Sequence, residues 1–269
     1  METILIATDF SAAARNATRY GFELSKKLKA KVILFNACQL PSSNSDSVGY
    51  VTPNEKEAMS YRQLVIEAET YDPLGTVALQ TESRPGPITD SILTVAKENN
   101  VSFIVAGMKA GRKEIRKIFG STVTYLRNQS SIPIIVVPED VSFSVPKTIA
   151  LASDNMETGL QIVEPLKKIA ELFTSKLFVV RVIEKLKNEV MEKLTISRSL
   201  KGLLSGLQPT YEFIKEDNVT KAMNNFVKQH AVDMVALIPR QHDLLQKIFT
   251  RSITKEMIFQ TRVPLLLLT

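Results

Sequence analysis

The chain has 269 residues, 44% of them hydrophobic, enough for one large domain or two of ordinary size with packed cores. Its formal charge of +6 is thinly spread, with 16 basic and 15 acidic side chains in residues 1–140 against 18 and 13 in residues 141–269, so charge alone argues for no nucleic-acid partner. The single cysteine, Cys38, excludes an intramolecular disulfide and a multi-thiolate metal site, and fits a reducing compartment.

Thr3-Ile-Leu-Ile-Ala7 reads as a first strand, continuous in apolar residues as strands buried on both faces are. It ends at Asp9, and Phe10-Ser11 leads into a helix whose apolar positions Ala13, Ala17, Gly21, Leu24 and Leu28 recur at helical spacing, with Ser11 as N-cap. Lys31 to Ala37 is a second strand; the Ser-, Asn-, Asp- and Pro-rich stretch from Gln39 to Val51 reads as a mobile loop. Residues 54–70 suit a helix, Thr76 to Glu82 a third strand, and Arg84-Pro-Gly-Pro87 a turn into a helix with Ile88, Ile92, Val95 and Ala96 on one face. A fourth strand over 102–106 is followed by a glycine loop, a helix opening at Ser121 and ending near Ser130, and a fifth strand, Ile132 to Val137, closed by Pro138. This alternation predicts an α/β fold: an open, mostly parallel five-stranded sheet with helices on both faces, Rossmann-like.

The plan then repeats. Thr148-Ile-Ala-Leu-Ala-Ser-Asp154 echoes Thr3 to Asp9, and Lys176-Leu-Phe-Val-Val180 echoes Lys31 to Phe35, both at an offset of 145. Val235 to Phe249 echoes Val105 to Phe119 at an offset of 130, and Val263-Pro-Leu-Leu-Leu-Leu268 echoes the fifth strand. Two similar domains follow, 1–140 and 146–269, the second shortened in the region matching residues 39–70.

The stretch from Gly107 to Thr122 carries the chemistry. Glycine after a strand, and Gly-Ser-Thr opening a helix, present backbone N–H groups and the positive end of a helix dipole to an anion. The plainer alternative is a tight strand exit and an ordinary N-cap at Ser121. The spacing Gly107-x-x-Ala110-x9-Gly120-Ser121 closely resembles the nucleotide-binding signature of the universal stress protein family, which is Gly, two residues, Gly, nine residues, then Gly followed by Ser or Thr. Ala110 departs from it, with Gly111 one place later. In the second copy Leu237 and Arg240 stand where Gly107 and Ala110 stand, and Thr250-Arg251 replaces Gly120-Ser121, so that loop reads as degenerate.

The resemblance implies an adenine nucleotide, ATP foremost, with magnesium as an optional companion, bound in the first domain only. It places Ala7, Thr8, Asp9 and Ala37 near base and ribose, and Gly107, Lys109, Ala110, Gly111, Gly120, Ser121 and Thr122 around the phosphates. Lys109, Arg112, Lys113, Arg116 and Lys117 give that loop a positive field, or else form a solvated basic face. Asp9 is equally suited to capping the helix after it. The resemblance also implies that the apolar fifth strands of the two copies pair with each other, as in a fused dimer; whether two chains then associate is open.

Neither a nucleophile elbow nor a P-loop appears, and His230 and His242 form no ligand cluster, so no metal site is expected. The expectation is a soluble, cytoplasmic stress-response or signalling protein, not an enzyme beyond a slow ATPase, with no nucleic-acid or membrane partner. A nucleotide-free interaction module of the same fold is the alternative. An adenylating enzyme ranks behind both, since Asp9-Phe10-Ser11-Ala12 lacks the Ser-Gly-Gly-x-Asp pattern of pyrophosphatase-type relatives.

Overall fold

The computed structural model describes residues 1–38, 52–109, 119–153, 159–183, 197–238 and 262–269, with 119–121 described in backbone only. The loop expected at 39–51, Ala110, Gly111 and the basic residues 112–117, Asp154, and the second-copy residues Arg240, His242, Thr250 and Arg251 lie outside the described residues. The chain divides into two compact units, Met1–Phe143 and Ser144–Thr269.

In the first unit, strands β1 (Thr3–Ala7), β2 (Lys31–Cys38), β3 (Leu79–Pro85), β4 (Phe103–Met108) and β5 (Ile134–Pro138) lie in the order β3-β2-β1-β4-β5, all parallel. Helices α1 (Ala12–Leu28), α2 (Pro53–Tyr71), α3 (Ile88–Glu98) and α4 (Phe119–Gln129) connect them. Ile4, Leu5 and Ile6 are completely buried, as consecutive residues of a strand covered on both faces must be. Ser11 caps α1, its hydroxyl accepting from the Ala14 amide, and Lys29 closes it in the left-handed conformation with φ 51°. Thr52 and Glu55 form a reciprocal capping box at the start of α2, where Pro53 occupies the first turn. Helix α1 lies close on the sheet at Gly21, whose missing Cβ would stand 2.5 Å from Cδ1 of Ile6.

Three expected boundaries are corrected. Strand β3 begins at Leu79, because Asp72 draws the preceding segment into a turn: its carboxylate takes the Thr76 hydroxyl at 2.6 Å and the Val77 amide at 2.8 Å. Strand β4 runs on to Met108, so Gly107 pairs with Val137 inside the strand and does not belong to a loop. Helix α4 already includes Phe119 and Gly120, so Ser121 is not its N-cap.

The second unit contains β6 (Thr148–Ala152), β7 (Lys176–Ile183), β8 (Thr210–Lys215), β9 (Met234–Leu237) and β10 (Leu265–Leu267), in the order β8-β7-β6-β9-β10, again all parallel. Helices α5 (Leu160–Phe173), α6 (Arg198–Leu204) and α7 (Val219–Gln229) are described with them. The sheet follows the plan of the first unit. Thr148 pairs with Lys176 as Thr3 pairs with Lys31, and the left-handed Thr174 closes α5 as Lys29 closes α1. The sheet register corrects one part of the alignment. Ala7 faces Ala106 whereas Ala152 faces Leu237, so the position of Gly107 corresponds to Ile238 and not Leu237. Among the described residues, no helix is long and apolar enough to cross a membrane.

Candidate functional site

A cleft of about 290 Å³ opens at the carboxyl ends of β1, β2 and β4 in the first unit, near the lower bound of small-molecule pockets. It lies where strand order reverses around β1, with β2 on one side and β4 on the other, the place where open α/β sheets gather ligands. Phe35, Ile88, Ile92, Ala106 and Val123 supply apolar wall, while Thr8, Asp9, Asn36 and Thr122 supply polar groups.

Of the residues singled out from the sequence, Ala7, Thr8, Asp9, Ala37, Gly107 and Thr122 line this cleft together. Lys109 is exposed just beyond β4 and is not among the lining residues. Gly120 and Ser121 belong to the backbone of α4, and Ala110 and Gly111 lie outside the described residues.

The turn from Thr8 to Ser11 forms the mouth. The Thr8 amide donates to the Phe35 carbonyl at 2.9 Å, fastening β1 to β2. The Phe10 amide then donates to the Thr8 hydroxyl and the Ser11 amide to the Asp9 carboxylate, both at 3.0 Å. Phe10 takes φ 62°, an uncommon conformation for a bulky residue, which these two bonds hold in place. Asp9 is exposed and spends one oxygen on this turn; its second oxygen has no hydrogen bond among the described residues.

Gly107 has a steric explanation. A Cβ there would fall on the carbonyl of Ala13 and within 2.7 Å of the Ala14 amide, so the glycine admits the first turn of α1 against the end of β4. The close approach is made by the chain's own helix. In the second unit Ile238 holds this position, and α5, matching α1 at its C-terminus, starts only at Leu160 after a Gly159 N-cap, the counterpart of Ala14.

Two contributors were not read from the sequence. Asn36 is 8% exposed, donates to the Thr8 carbonyl at 2.7 Å and accepts the Ser60 hydroxyl at 2.7 Å, which in turn accepts the Ser83 hydroxyl at 2.8 Å. This chain ties β1, β2, α2 and β3 together under the cleft. The signal was a lone polar residue within Val-Ile-Leu-Phe-Asn-Ala; its counterpart in the second unit is Arg181. The other is Glu67, buried at 6% exposure on α2, which the hydroxyl of Thr8 approaches at 3.4 and 3.5 Å. Burial pushes its carboxyl above the usual range; Thr18, Arg15 and Thr8 act in the opposite sense, and Asp9 adds to the rise.

Comparison with known proteins places this geometry. The chain is similar to a universal stress protein from Archaeoglobus fulgidus DSM 4304, 17% identical, over 98% of this chain and 97% of that one with a TM-score of 0.74. It is similar to a functionally unknown protein from Pseudomonas aeruginosa PAO1, 10% identical, over 100% of this chain and 92% of that one with a TM-score of 0.62. At these identities the likeness is one of fold. A universal stress protein family member from Arabidopsis thaliana with AMP bound aligns over 51% of this chain and 92% of its own at 14% identity, with a TM-score of 0.36, too slight a likeness to speak for a ligand here. No curated protein matches the sequence. The model of the Universal stress protein family matches residues 1–138, slightly more than half of the 269 and the whole of the sheet that bears the cleft, and the chain therefore belongs to the universal stress protein family.

Proposed function

We propose that the first unit binds an adenine nucleotide, ATP foremost, in the cleft at the carboxyl edge of its sheet, and that the protein serves stress response or signalling by binding rather than by fast catalysis. The observation that carries this reading is the convergence of Ala7, Thr8, Asp9, Ala37, Gly107 and Thr122 on one cleft with apolar walls. A flat heteroaromatic base suits the surface made by Phe35, Ile88, Ile92 and Val123, and the second oxygen of Asp9 suits a ribose hydroxyl. The base and sugar thus fit the described residues. The phosphates would extend toward Lys109 and Thr122, and magnesium would arrive on them: among the described residues no group of three His, Cys, Asp or Glu stands ready to hold a metal.

Slow turnover at most is proposed because Thr8, a cleft hydroxyl that meets a carboxylate, approaches the buried Glu67 only at 3.4 and 3.5 Å, longer than the pairing of an activated nucleophile. The second unit is proposed to bind no nucleotide in this way, since Ile238 and Arg181 replace Gly107 and Asn36. The outermost strands β5 and β10 are proposed to pair with each other, because Ile134-Ile-Val-Val137 and Leu265-Leu-Leu267 would be adhesive edges if left bare.

The rival, a nucleotide-free interaction module, draws support from Gly107, whose glycine is required by α1 without any ligand. Native mass spectrometry of freshly purified protein separates the two. The nucleotide reading predicts a population heavier than the chain by one adenine nucleotide, or one that forms on adding ATP. A bare chain at every ATP concentration up to about a millimolar, the range of weak binding near 4 kcal/mol, would leave the interaction module.

A further inference from the structure

Behind the cleft wall lies an acid that nucleotide contact does not use. Glu67 projects from the buried face of α2, which also carries Leu64 and Ala68. The Thr8 hydroxyl that reaches its carboxylate at 3.4 and 3.5 Å also accepts the Phe10 amide at 3.0 Å. One hydroxyl therefore links the acid to the turn that presents Asp9 to the cleft, and Thr8 itself lines that cleft.

The second hydroxyl neighbour is Thr18 of α1, which donates to the Ala14 carbonyl at 3.0 Å. A protonated Glu67 keeps a carbonyl oxygen that still accepts from Thr8. The turn is thus held in both protonation states; only the charge behind it changes. The ionisable groups acting on Glu67 are Arg15 of α1 and Asp9 of the turn, with Tyr71 of α2 coupled to it and Arg19 of α1 acting on that tyrosine. The neighbouring strands β2 and β3 add no charge to this set.

We infer, on the reading that the cleft takes an anionic nucleotide, that Glu67 is a proton-linked positioning residue: ligand binding is accompanied by uptake of one proton from solvent onto its carboxyl. An anionic nucleotide brings negative charge into the cleft that Thr8 lines, and a neutral Glu67 relieves the repulsion from behind the wall without releasing Thr8.

The test is calorimetric titration of magnesium-ATP into the full chain and into Glu67→Gln, in two buffers of different ionisation heat, between about pH 5 and 8. The wild-type chain is expected to bind more tightly as pH falls, by at most about tenfold per unit for a single proton, and to take up protons. Glu67→Gln, neutral at every pH yet able to accept from Thr8, is expected to show a flatter profile and a smaller uptake. The nucleotide's own ionisation is common to both and cancels in the comparison. Thr18→Val, which removes a hydroxyl that holds the Glu67 carboxyl down, is expected to displace the wild-type profile toward higher pH, and it decides the matter if Glu67→Gln does not fold. Superimposable profiles for wild type and the folded variants would overturn the inference and leave nucleotide binding standing. Absence of binding at every pH would overturn both.

Discussion

Gly107 lines the cleft, yet the fold gives its glycine a reason that needs no ligand. Its place in a nucleotide signature suggested close approach of a ligand, whereas the space its missing Cβ leaves is filled by the carbonyl of Ala13 and the amide of Ala14. Gly107→Ala should therefore destabilise the free protein by about 1–3 kcal/mol through overpacking, seen as a lower urea midpoint at unchanged slope. An unaltered midpoint would mean that α1 yields at no cost. Asn36 makes the opposite case, a residue that spacing arguments pass over because its partners Thr8, Ser60 and Ser83 come from separate elements. Asn36→Ala would strand the Thr8 carbonyl and the Ser60 hydroxyl in a buried place, at about 1–3 kcal/mol, again read by urea unfolding.

The strands were legible because a parallel sheet covered on both faces leaves runs such as Ile4-Leu5-Ile6 and Ile33-Leu34-Phe35 with no polar interruption, and the first strand and the Ser11 cap lie where the sequence put them. Where the start of β3 slipped, a side chain had intervened. Asp72 captured Thr76 and Val77 and delayed β3, a long-armed turn with no alternation to betray it. The two acids at the C-terminal end of α2 give a pH prediction of opposing sign. Burial raises the Asp72 carboxyl, but the bonds from Thr76 and Val77 outweigh it and hold the group below the ordinary value. Its contribution is present above the unfolded value of about 3.9 and is lost as pH falls through the folded value. Glu67 is raised, so its contribution is full below about 4.3 and lost as pH rises through the folded value. Thermal unfolding across pH should therefore show Asp72→Asn losing stability chiefly at neutral pH and little in acid. Glu67→Gln should compare most favourably with wild type at neutral pH; the reverse order would refute the assignment of signs.

The molecule as a whole is one plan used twice. Both units share strand order and register, yet the second sets Ile238 and Arg181 at the positions of Gly107 and Asn36 and has the seven-residue α6 where the first has the nineteen-residue α2. The sequence revealed the repeat, but an offset of 130 misaligned β9 against β4 by one residue, because only pairing against β6 fixes which residue faces the cleft position. Among the described residues the units thus differ at positions that line or support the first unit's cleft, which is proposed to hold one adenine nucleotide per chain. The most direct measurement is calorimetric titration of ATP into the wild-type chain and into Ala37→Phe, whose ring would occupy the cleft from the half-exposed end of β2. The expected result is a stoichiometry of about one for the wild type and no binding for a variant that melts as the wild type does. Undiminished binding by the folded Ala37→Phe chain, or a second equivalent of nucleotide per chain, would contradict it.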